Sequence, residues 1–149
     1  MSDIKFSISI PTDSDNFFKL QCPYCNGIFK LSSEEFQASE SLNLYCPKCG
    51  LTSEIPSFYT TEVIDKALSI GQNYAEKMIH NLFKDLERKS KRSSLKIKAG
   101  KKPKSYEPEL YEIDDFLVIA DNHCCKTRVK VTELDKWIGI YCSYCGRNN

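Results

Sequence analysis

The sequence predicts a protein of the α+β class, in which two small antiparallel β units are joined by one long amphipathic helix and a basic linker. Three observations favour this class. The eight cysteines fall in close pairs, short apolar runs flank these pairs, and the middle of the chain carries apolar residues every three or four positions. The expected boundaries are 1–58 for the N-terminal unit with a preceding strand, 59–91 for the helix, 92–109 for the linker and 110–149 for the C-terminal unit.

Length and composition limit the architecture. The chain has 149 residues, 41% of them apolar and 28% charged, with a net charge of +1, which suits one compact unit or two very small ones. The longest apolar run, 116–120, is far shorter than the roughly 20 residues that cross a bilayer. The N-terminus lacks the basic and apolar regions of a signal peptide. We therefore expect a cytoplasmic protein without a membrane span, whose cysteines stay reduced.

The first third of the chain is predicted to form short strands. Ile4, Phe6, Ile8 and Ile10 alternate with polar residues, which indicates a half-buried strand that ends at Pro11. Further strands are expected at 17–21, 28–31 and 42–45, with a polar excursion at 32–41.

The cysteines of this third have the spacing of a metal site. Cys22-x-x-Cys25 and Cys46-x-x-Cys49 are separated by 20 residues, close to the spacing of a four-thiolate zinc site. Two such pairs can bring four sulfurs around one tetrahedral ion. Gly50 follows the last ligand, where the chain commonly needs a positive φ. Structural zinc is the favoured interpretation, and thiol redox chemistry or unliganded cysteines are the alternatives.

An amphipathic helix of about 28 residues is expected from near Thr61 to near Lys89. Glu62 near its start and Arg88 near its end complement the helix dipole. A helix of this length must pack its apolar stripe against the β units or against a second copy of itself. A homodimer formed through the helix is therefore one possibility.

The stretch from Arg88 to Lys104 is strongly basic. It has nine basic and no acidic residues, so the rest of a chain whose net charge is +1 carries −8. Serine, glycine and proline within it favour a linker or arm. The nine candidate nucleic-acid-binding residues are Arg88, Lys89, Lys91, Arg92, Lys96, Lys98, Lys101, Lys102 and Lys104.

The C-terminal third contains a second, less regular candidate site. Strands are expected near 116–120 and 127–131. Cys142-x-x-Cys145 is again a half-site, and its partner is the adjacent pair Cys124-Cys125. Neighbours on a strand point to opposite faces, so adjacent ligands require a kink. The thiol count favours Cys124 with Cys125, which gives two zinc ions in all, whereas His123 with Cys125 is the alternative.

The motif from Cys22-Pro23-Tyr24-Cys25 to Cys46-Pro47-Lys48-Cys49-Gly50 resembles zinc ribbons of the transcription factor IIB type over residues 17–56. The whole layout is similar to small bacterial proteins described only as zinc-ribbon proteins. The resemblance implies two zinc-ribbon units that serve as rigid docking modules for nucleic acid or for a larger protein.

No enzyme activity is expected, because four thiolates leave no open coordination position on the ion and no catalytic motif stands elsewhere in the sequence. The first hypothesis is nucleic-acid binding through the basic residues 88–104, with Tyr24, Lys48 or Tyr144 presented from the ribbons. The second is a protein-protein adaptor that docks through the helix or the ribbon edges onto a larger complex. A third possibility is that the basic arm folds over the acidic segment 107–115 and has no partner.

Overall fold

The computed structural model describes residues 5–111 and 115–149. It is a mixed α+β fold with antiparallel sheets and one long helix, as predicted. The strands are β1 (Phe17–Gln21), β2 (Ile28–Ser32), β3 (Asn43–Tyr45), β4 (Thr52–Glu54), β5 (Val118–Asn122) and β6 (Thr127–Val131). The α-helices are α1 (Ser33–Ala38), α2 (Thr61–Ser90) and α3 (Glu133–Ile138), and a 3-10 turn covers Ile55–Phe58.

The chain divides into two compact units. One contains residues 10–63 and 110–149 and holds all six strands; the other contains residues 64–109 with the described N-terminal residues 5–9. We refer to them as the β unit and the helical unit.

The strands of the two cysteine-bearing segments belong to one sheet rather than to two separate ribbons. The order is β1-β2-β6-β5, and β2 pairs with β6 antiparallel. A two-stranded ribbon alone is marginally stable and leaves its edges unpaired. Pairing of β2 with β6 removes one exposed edge from each half. The apolar core is accordingly continuous, and residues of both halves, such as Leu20, Phe29, Val129 and Ile140, pack in one cluster.

The two halves of the β unit are repeats of one another. Residues 17–38 correspond to 117–138 at an offset of 100, and residues 44–50 correspond to 140–146 at an offset of 96. The backbone follows the same correspondence: Asn26 and Lys126 have φ of 58° and 53°, and Gly50 and Gly146 have φ of 74° and 75°. The β unit is therefore a pseudo-symmetric pair of zinc-ribbon-like halves within one chain.

The strand predicted over Ile4 to Ile10 does not form in the part that the structure describes. Ile4 lies outside the described residues, and residues 5–10 have no regular secondary structure. Alternation of apolar residues makes a strand only where a neighbouring edge can pair with it. Phe6 instead contacts the Tyr74 ring of α2, with ring centroids 5.3 Å apart.

Two short helices were not predicted: α1 occupies the polar excursion expected at 32–41, and α3 occupies the equivalent segment of the C-terminal half. Both α1 and α3 follow a strand directly, and the side-chain oxygen of Thr132 caps α3 by accepting a hydrogen bond from the backbone N–H of Asp135 at 3.2 Å. Acidic residues in the first turn of each helix favour the same structure.

The long helix agrees with its predicted bounds to within two residues, but the segment after it turns back. Asn73 donates a hydrogen bond to the carbonyl of Tyr106 at 2.6 Å and accepts one from its N–H at 3.1 Å. The Glu87 carboxylate accepts from the N–H of Ala99 at 3.2 Å. The basic segment therefore runs antiparallel along α2. Within the described ranges, no helix combines the length and apolarity that a bilayer span requires.

Candidate metal centres

The first site lies where two strands of the N-terminal half end. The chain leaves β1 at Cys22 and returns through a turn at Cys25, while β3 leads into Cys46 and the following turn into Cys49. The sulfurs of Cys22 and Cys49 are 3.6 Å apart, and those of Cys25 and Cys46 are 3.7 Å apart. Zinc–sulfur bonds of about 2.3 Å in a tetrahedron place sulfurs about 3.8 Å apart. The spacing therefore fits one tetrahedral ion.

Backbone N–H groups point at these sulfurs. The N–H of Tyr24 donates to Cys22 Sγ, that of Gly27 to Cys25 Sγ and that of Lys48 to Cys46 Sγ, each at 3.4 Å. Such hydrogen bonds stabilise thiolate charge around a metal. The left-handed conformations of Asn26 and Gly50 turn the chain in this region.

The second site uses the adjacent cysteines. The sulfurs of Cys124, Cys125, Cys142 and Cys145 all lie within 4.8 Å of one another, as do the four of the first site. His123 is exposed and outside this group. The predicted kink is present, since β5 ends at Asn122 and residues 123–126 form a turn. Of the two alternatives, the structure therefore brings together the cysteine pair.

The two sites differ at one ligand. At the offset of 100, Cys22 corresponds to Asn122, which is fully buried and whose Oδ1 has no hydrogen-bond partner among the described residues. Cys124, two residues further on, supplies the missing thiol instead. The second site is also more exposed, because Cys142 is its only buried sulfur ligand, whereas Cys22 and Cys46 are both buried in the first site. The repeat thus preserves two metal sites but not the same ligand positions.

The thiol pKa values show why a cation suits each cluster. Burial raises the pKa of Cys22, but the N–H groups of Cys25 and Tyr24 outweigh burial and bring it below its usual value. At the second site, hydrogen bonds from Cys145, Cys142 and Asn149 outweigh burial and lower the pKa of Cys124 to about 7. Burial and neighbouring thiols raise the pKa of Cys125 to about 12.

Each cluster therefore contains a thiol that ionises easily beside others that do not. A bound dication removes this conflict by stabilising all four thiolates together. The donor set fits zinc, and the two groups could hold two zinc ions. Four protein sulfurs fill a tetrahedral ion, so the arrangement is that of a structural site.

The two sites are joined by reciprocal contacts. The N–H of Tyr45 donates to the carbonyl of Ser143 at 2.9 Å, and the N–H of Tyr141, its counterpart, donates to the carbonyl of Pro47 at 3.0 Å. The Tyr141 ring also faces Gly50, and the Tyr45 ring faces Gly146. Each metal-binding turn is thus held by the opposite half.

A buried charge cluster lies at the centre of the sheet. Lys30 and Lys130 face each other across β2 and β6, and both are buried. Asp13 Oδ2 lies 3.3 Å from Lys30 Nζ and 2.8 Å from Lys130 Nζ. Asp15 and Asp115 each add a carboxylate, to Lys130 at 2.7 Å and to Lys30 at 3.3 Å respectively. The acidic groups neutralise two like charges where the halves meet.

The nine basic residues of the arm are all exposed. Within residues 5–111 and 115–149, only Arg88 among them forms an ion pair, with Asp85. Two lysines of α2 that were not predicted as candidate residues, Lys77 and Lys84, line the same groove as Lys102 of the arm. No local pattern marks them, because the groove exists only when the arm turns back.

The three residues expected to be presented from the ribbon turns differ in accessibility. Tyr24 is 56% exposed and its hydroxyl donates to the carbonyl of Thr52 at 3.2 Å. Lys48 is exposed. Tyr144, in contrast, packs against the core with a buried hydroxyl, so it is not presented to a partner.

Comparisons with known proteins found no relative of this chain. No protein-family model matches the chain, and neither the search of curated proteins nor the search of solved structures finds a match.

Proposed function

We propose that this is a non-enzymatic zinc-binding module that binds nucleic acid through the basic residues 88–104. The observation that carries the proposal is the exposure of all nine basic side chains, of which only Arg88 pairs with a carboxylate among the described residues. Zinc then has a structural role, and the ribbon-like halves supply a rigid β unit.

The acidic residues near the arm support this choice over internal neutralisation. Glu107 pairs with Lys66 of α2 at 3.5 Å, and Glu87 accepts a backbone hydrogen bond from Ala99. In the described contacts, neither carboxylate pairs with a lysine of the arm. Residues 112–114, part of the acidic segment considered for this role, lie outside the described residues. The described contacts thus leave eight arm cations without a carboxylate.

The returning arm also concentrates positive charge. Lys102 of the arm lines one groove with Lys77 and Lys84 of α2, together with the acidic Glu76. Lysines at fixed separations can contact successive phosphates and release their counterions, which gives affinity without sequence preference. We therefore expect binding that falls steeply with salt.

The test compares binding of the zinc-loaded protein to single- and double-stranded DNA and RNA at about 50 and 200 mM salt. The variant Lys98→Gln/Lys101→Gln/Lys102→Gln removes three arm charges. Its matched control, Lys126→Gln/Lys136→Gln/Arg147→Gln, removes three exposed charges of the β unit. Both variants have the same net charge, so a difference between them reports location.

We expect the arm variant to lose at least tenfold in affinity and to show a salt slope shallower by about 2–3, while the control variant stays within about threefold of the wild type. Equal losses in the two variants would show that only net charge matters. Absence of binding to all four nucleic acids at low salt would overturn the proposal.

A second function, protein docking, is favoured by one asymmetry between the halves. Helix α3 exposes Leu134, Trp137 and Ile138 at 67%, 84% and 75%. The corresponding positions of α1 are Glu34, Gln37 and Ala38. Since α1 fills the same place in the fold with two polar side chains and one small one, folding alone does not require the large apolar surface of α3. Trp and neighbouring apolar residues are typical of interface centres.

This alternative is tested by giving α3 the surface of α1. If the protein is an adaptor that docks through α3, the variant Leu134→Glu/Trp137→Gln/Ile138→Ala should no longer bind a protein partner that the wild type still binds at about 500 mM salt. Binding by the wild type should persist at this salt concentration because apolar contacts are little screened. Unchanged nucleic-acid affinity in the same variant would separate the two functions. Retention of every partner by the variant would contradict docking through α3.

A further inference from the structure

Helix α2 leaves an apolar face uncovered. The face contains large side chains that are 44–66% exposed, together with the small residues Gly71 and Ala75. The large ones are Ile64, Leu68, Met78, Ile79, Leu82 and Leu86. The contacts described between α2 and the chain that follows it are made by Ala99, Tyr106 and Glu107. They fall on Glu87, Asn73 and Lys66 rather than on these side chains. At 100° per residue these three positions lie on the side of the helix opposite the apolar face.

The apolar face reads nearly the same in both directions. Its positions 64, 68, 71, 75, 79, 82 and 86 are spaced 4-3-4-4-3-4. This is two repeats of eleven residues, or about 3.67 residues per turn, so the stripe stays nearly straight along an α-helix. Reversal about Ala75 exchanges Ile64 with Leu86 and Leu68 with Leu82. Such self-complementarity is what a two-fold symmetric interface requires.

We propose that the α2 helices of two copies of this protein pair antiparallel about Ala75 and bury this face in a homodimer. Small residues at the centre permit close approach of the two backbones, and a Cβ placed on Gly71 meets no atom within 4 Å. Leu68 of each copy then lies against Leu82 of the other. This inference does not depend on the nucleic-acid proposal, since the arm occupies the other side of the helix.

The size of the face suits a second copy. With Phe83 at its border, 48% exposed, the large side chains present on the order of 600 Å² of surface per copy. This is at the upper end of what monomers leave exposed, roughly 300–600 Å², and near the roughly 800 Å² per partner of a standard interface. No charged residue falls on the stripe between positions 64 and 86, so nothing on it opposes burial.

The first experiment measures the oligomeric state of the full zinc-loaded chain by sedimentation and light scattering over about 5–100 µM. We expect a dimer for the wild type. Leu68→Glu/Leu82→Glu should weaken the dimer at least tenfold because it places four like charges in the interface. The control Leu42→Glu/Leu134→Glu changes two exposed leucines of the β unit, at 83% and 67% exposure, and should leave the dimer intact.

The second experiment tests the direction of pairing. In Leu68→Glu/Leu82→Lys, an antiparallel pair brings each introduced glutamate against an introduced lysine of the other copy. A parallel pair brings like charges together at both positions. We therefore expect this variant to dimerise at least tenfold more tightly than Leu68→Glu/Leu82→Glu and Leu68→Lys/Leu82→Lys.

Three results would overturn the proposal. A wild-type monomer over the whole concentration range shows that a second copy does not cover the face. A dimer that persists in Leu68→Glu/Leu82→Glu, with zinc content and helicity unchanged, shows that another surface is used. A mixed-charge variant no tighter than the two like-charge variants excludes the antiparallel arrangement.

Discussion

At the scale of single residues, Asp13 has an unusual position. Its carboxylate lies between two buried lysines that face each other across the central strands, and its Oδ1 also accepts the backbone N–H groups of Asp15 and Phe17 at 3.0 Å each. Like charges opposite each other in a sheet are destabilising. The β2–β6 pairing therefore depends on this carboxylate.

The variant Asp13→Asn should lower the free energy of unfolding of the zinc-loaded protein by about 2 kcal/mol, because it leaves buried lysines with less compensation. Denaturant unfolding at neutral pH measures this. Asp15→Asn is the control, since Asp15 is 55% exposed, and a change of about 0.5 kcal/mol or less is expected there. Equal effects of the two variants would contradict a special role for Asp13.

The pH dependence of the Asp13→Asn effect has a definite sign. Burial raises the pKa of Asp13, but hydrogen bonds from Lys130 and from the Phe17 and Asp15 N–H groups outweigh it and lower the pKa from 3.8 to about 2. Because the pKa of Asp13 is lower in the folded than in the unfolded protein, its ionised carboxylate stabilises the fold fully above the unfolded-state pKa. This stabilisation is lost as the pH falls from about 4 to 2. The difference between wild type and Asp13→Asn should thus be constant from about pH 5.5 to 8. A difference that shrinks within this range would contradict the assignment.

Gly146 is the second residue that the structure singles out. A Cβ placed there would lie 2.7 Å from the Tyr45 ring, and its φ of +75° is unfavourable for other residues. Gly146→Ala should therefore cost about 2–4 kcal/mol of stability by thermal or denaturant unfolding. Gly100→Ala, where a Cβ meets nothing within 4 Å, should change stability by less than about 1 kcal/mol. A stable Gly146→Ala would show that the two halves do not pack as described.

At the scale of elements, local patterns predicted the helix and most strands. The apolar period places α2 correctly, and the strands 17–21 and 127–131 form with the predicted bounds. The strand expected over 4–10 does not form in its described part, because pairing partners are not encoded in alternation. The return of the arm along α2 depends on Asn73 and Tyr106, 33 residues apart, which no window of sequence connects.

The variant Asn73→Ala tests the return of the arm. Removal of the paired hydrogen bonds to Tyr106 should release the arm and speed tryptic cleavage after Lys98 and Lys101 by about tenfold, since proteolysis follows local opening. Mass spectrometry of the peptides measures this. Gln72→Ala, an exposed neighbour on α2, serves as control. Equal cleavage rates in all three proteins would show that the arm is not held by Asn73.

At the scale of the whole molecule, the two cysteine clusters could be predicted from spacing, whereas their union in one sheet could not. Each Cys-x-x-Cys pair is followed by a residue that favours a turn, so these half-sites can be recognised from a few neighbouring residues. The pairing of β2 with β6 joins residues 100 apart. The participation of Cys124 rather than His123 likewise depends on the turn after β5. The buried Asn122 stands at the position equivalent to Cys22, and the turn brings Cys124 into the cluster instead.

A shared sheet predicts coupling between the two sites. Cys46→Ser should weaken metal binding at the first site and also raise amide hydrogen exchange in β5 and β6 by at least tenfold, because β6 pairs with β2 and the core is common to both halves. Ser57→Ala, an exposed position outside the sites, should leave exchange unchanged. Unaltered exchange in β5 and β6 of Cys46→Ser would show that the halves fold independently.

We expect each four-cysteine cluster to hold one zinc ion. Native mass spectrometry of the freshly purified, reduced protein tests it most directly. We predict a chain mass increased by two zinc ions, which a strong chelator removes with loss of the folded β unit. A folded chain that carries one ion or none, or whose cysteines are joined as disulfides, would contradict it.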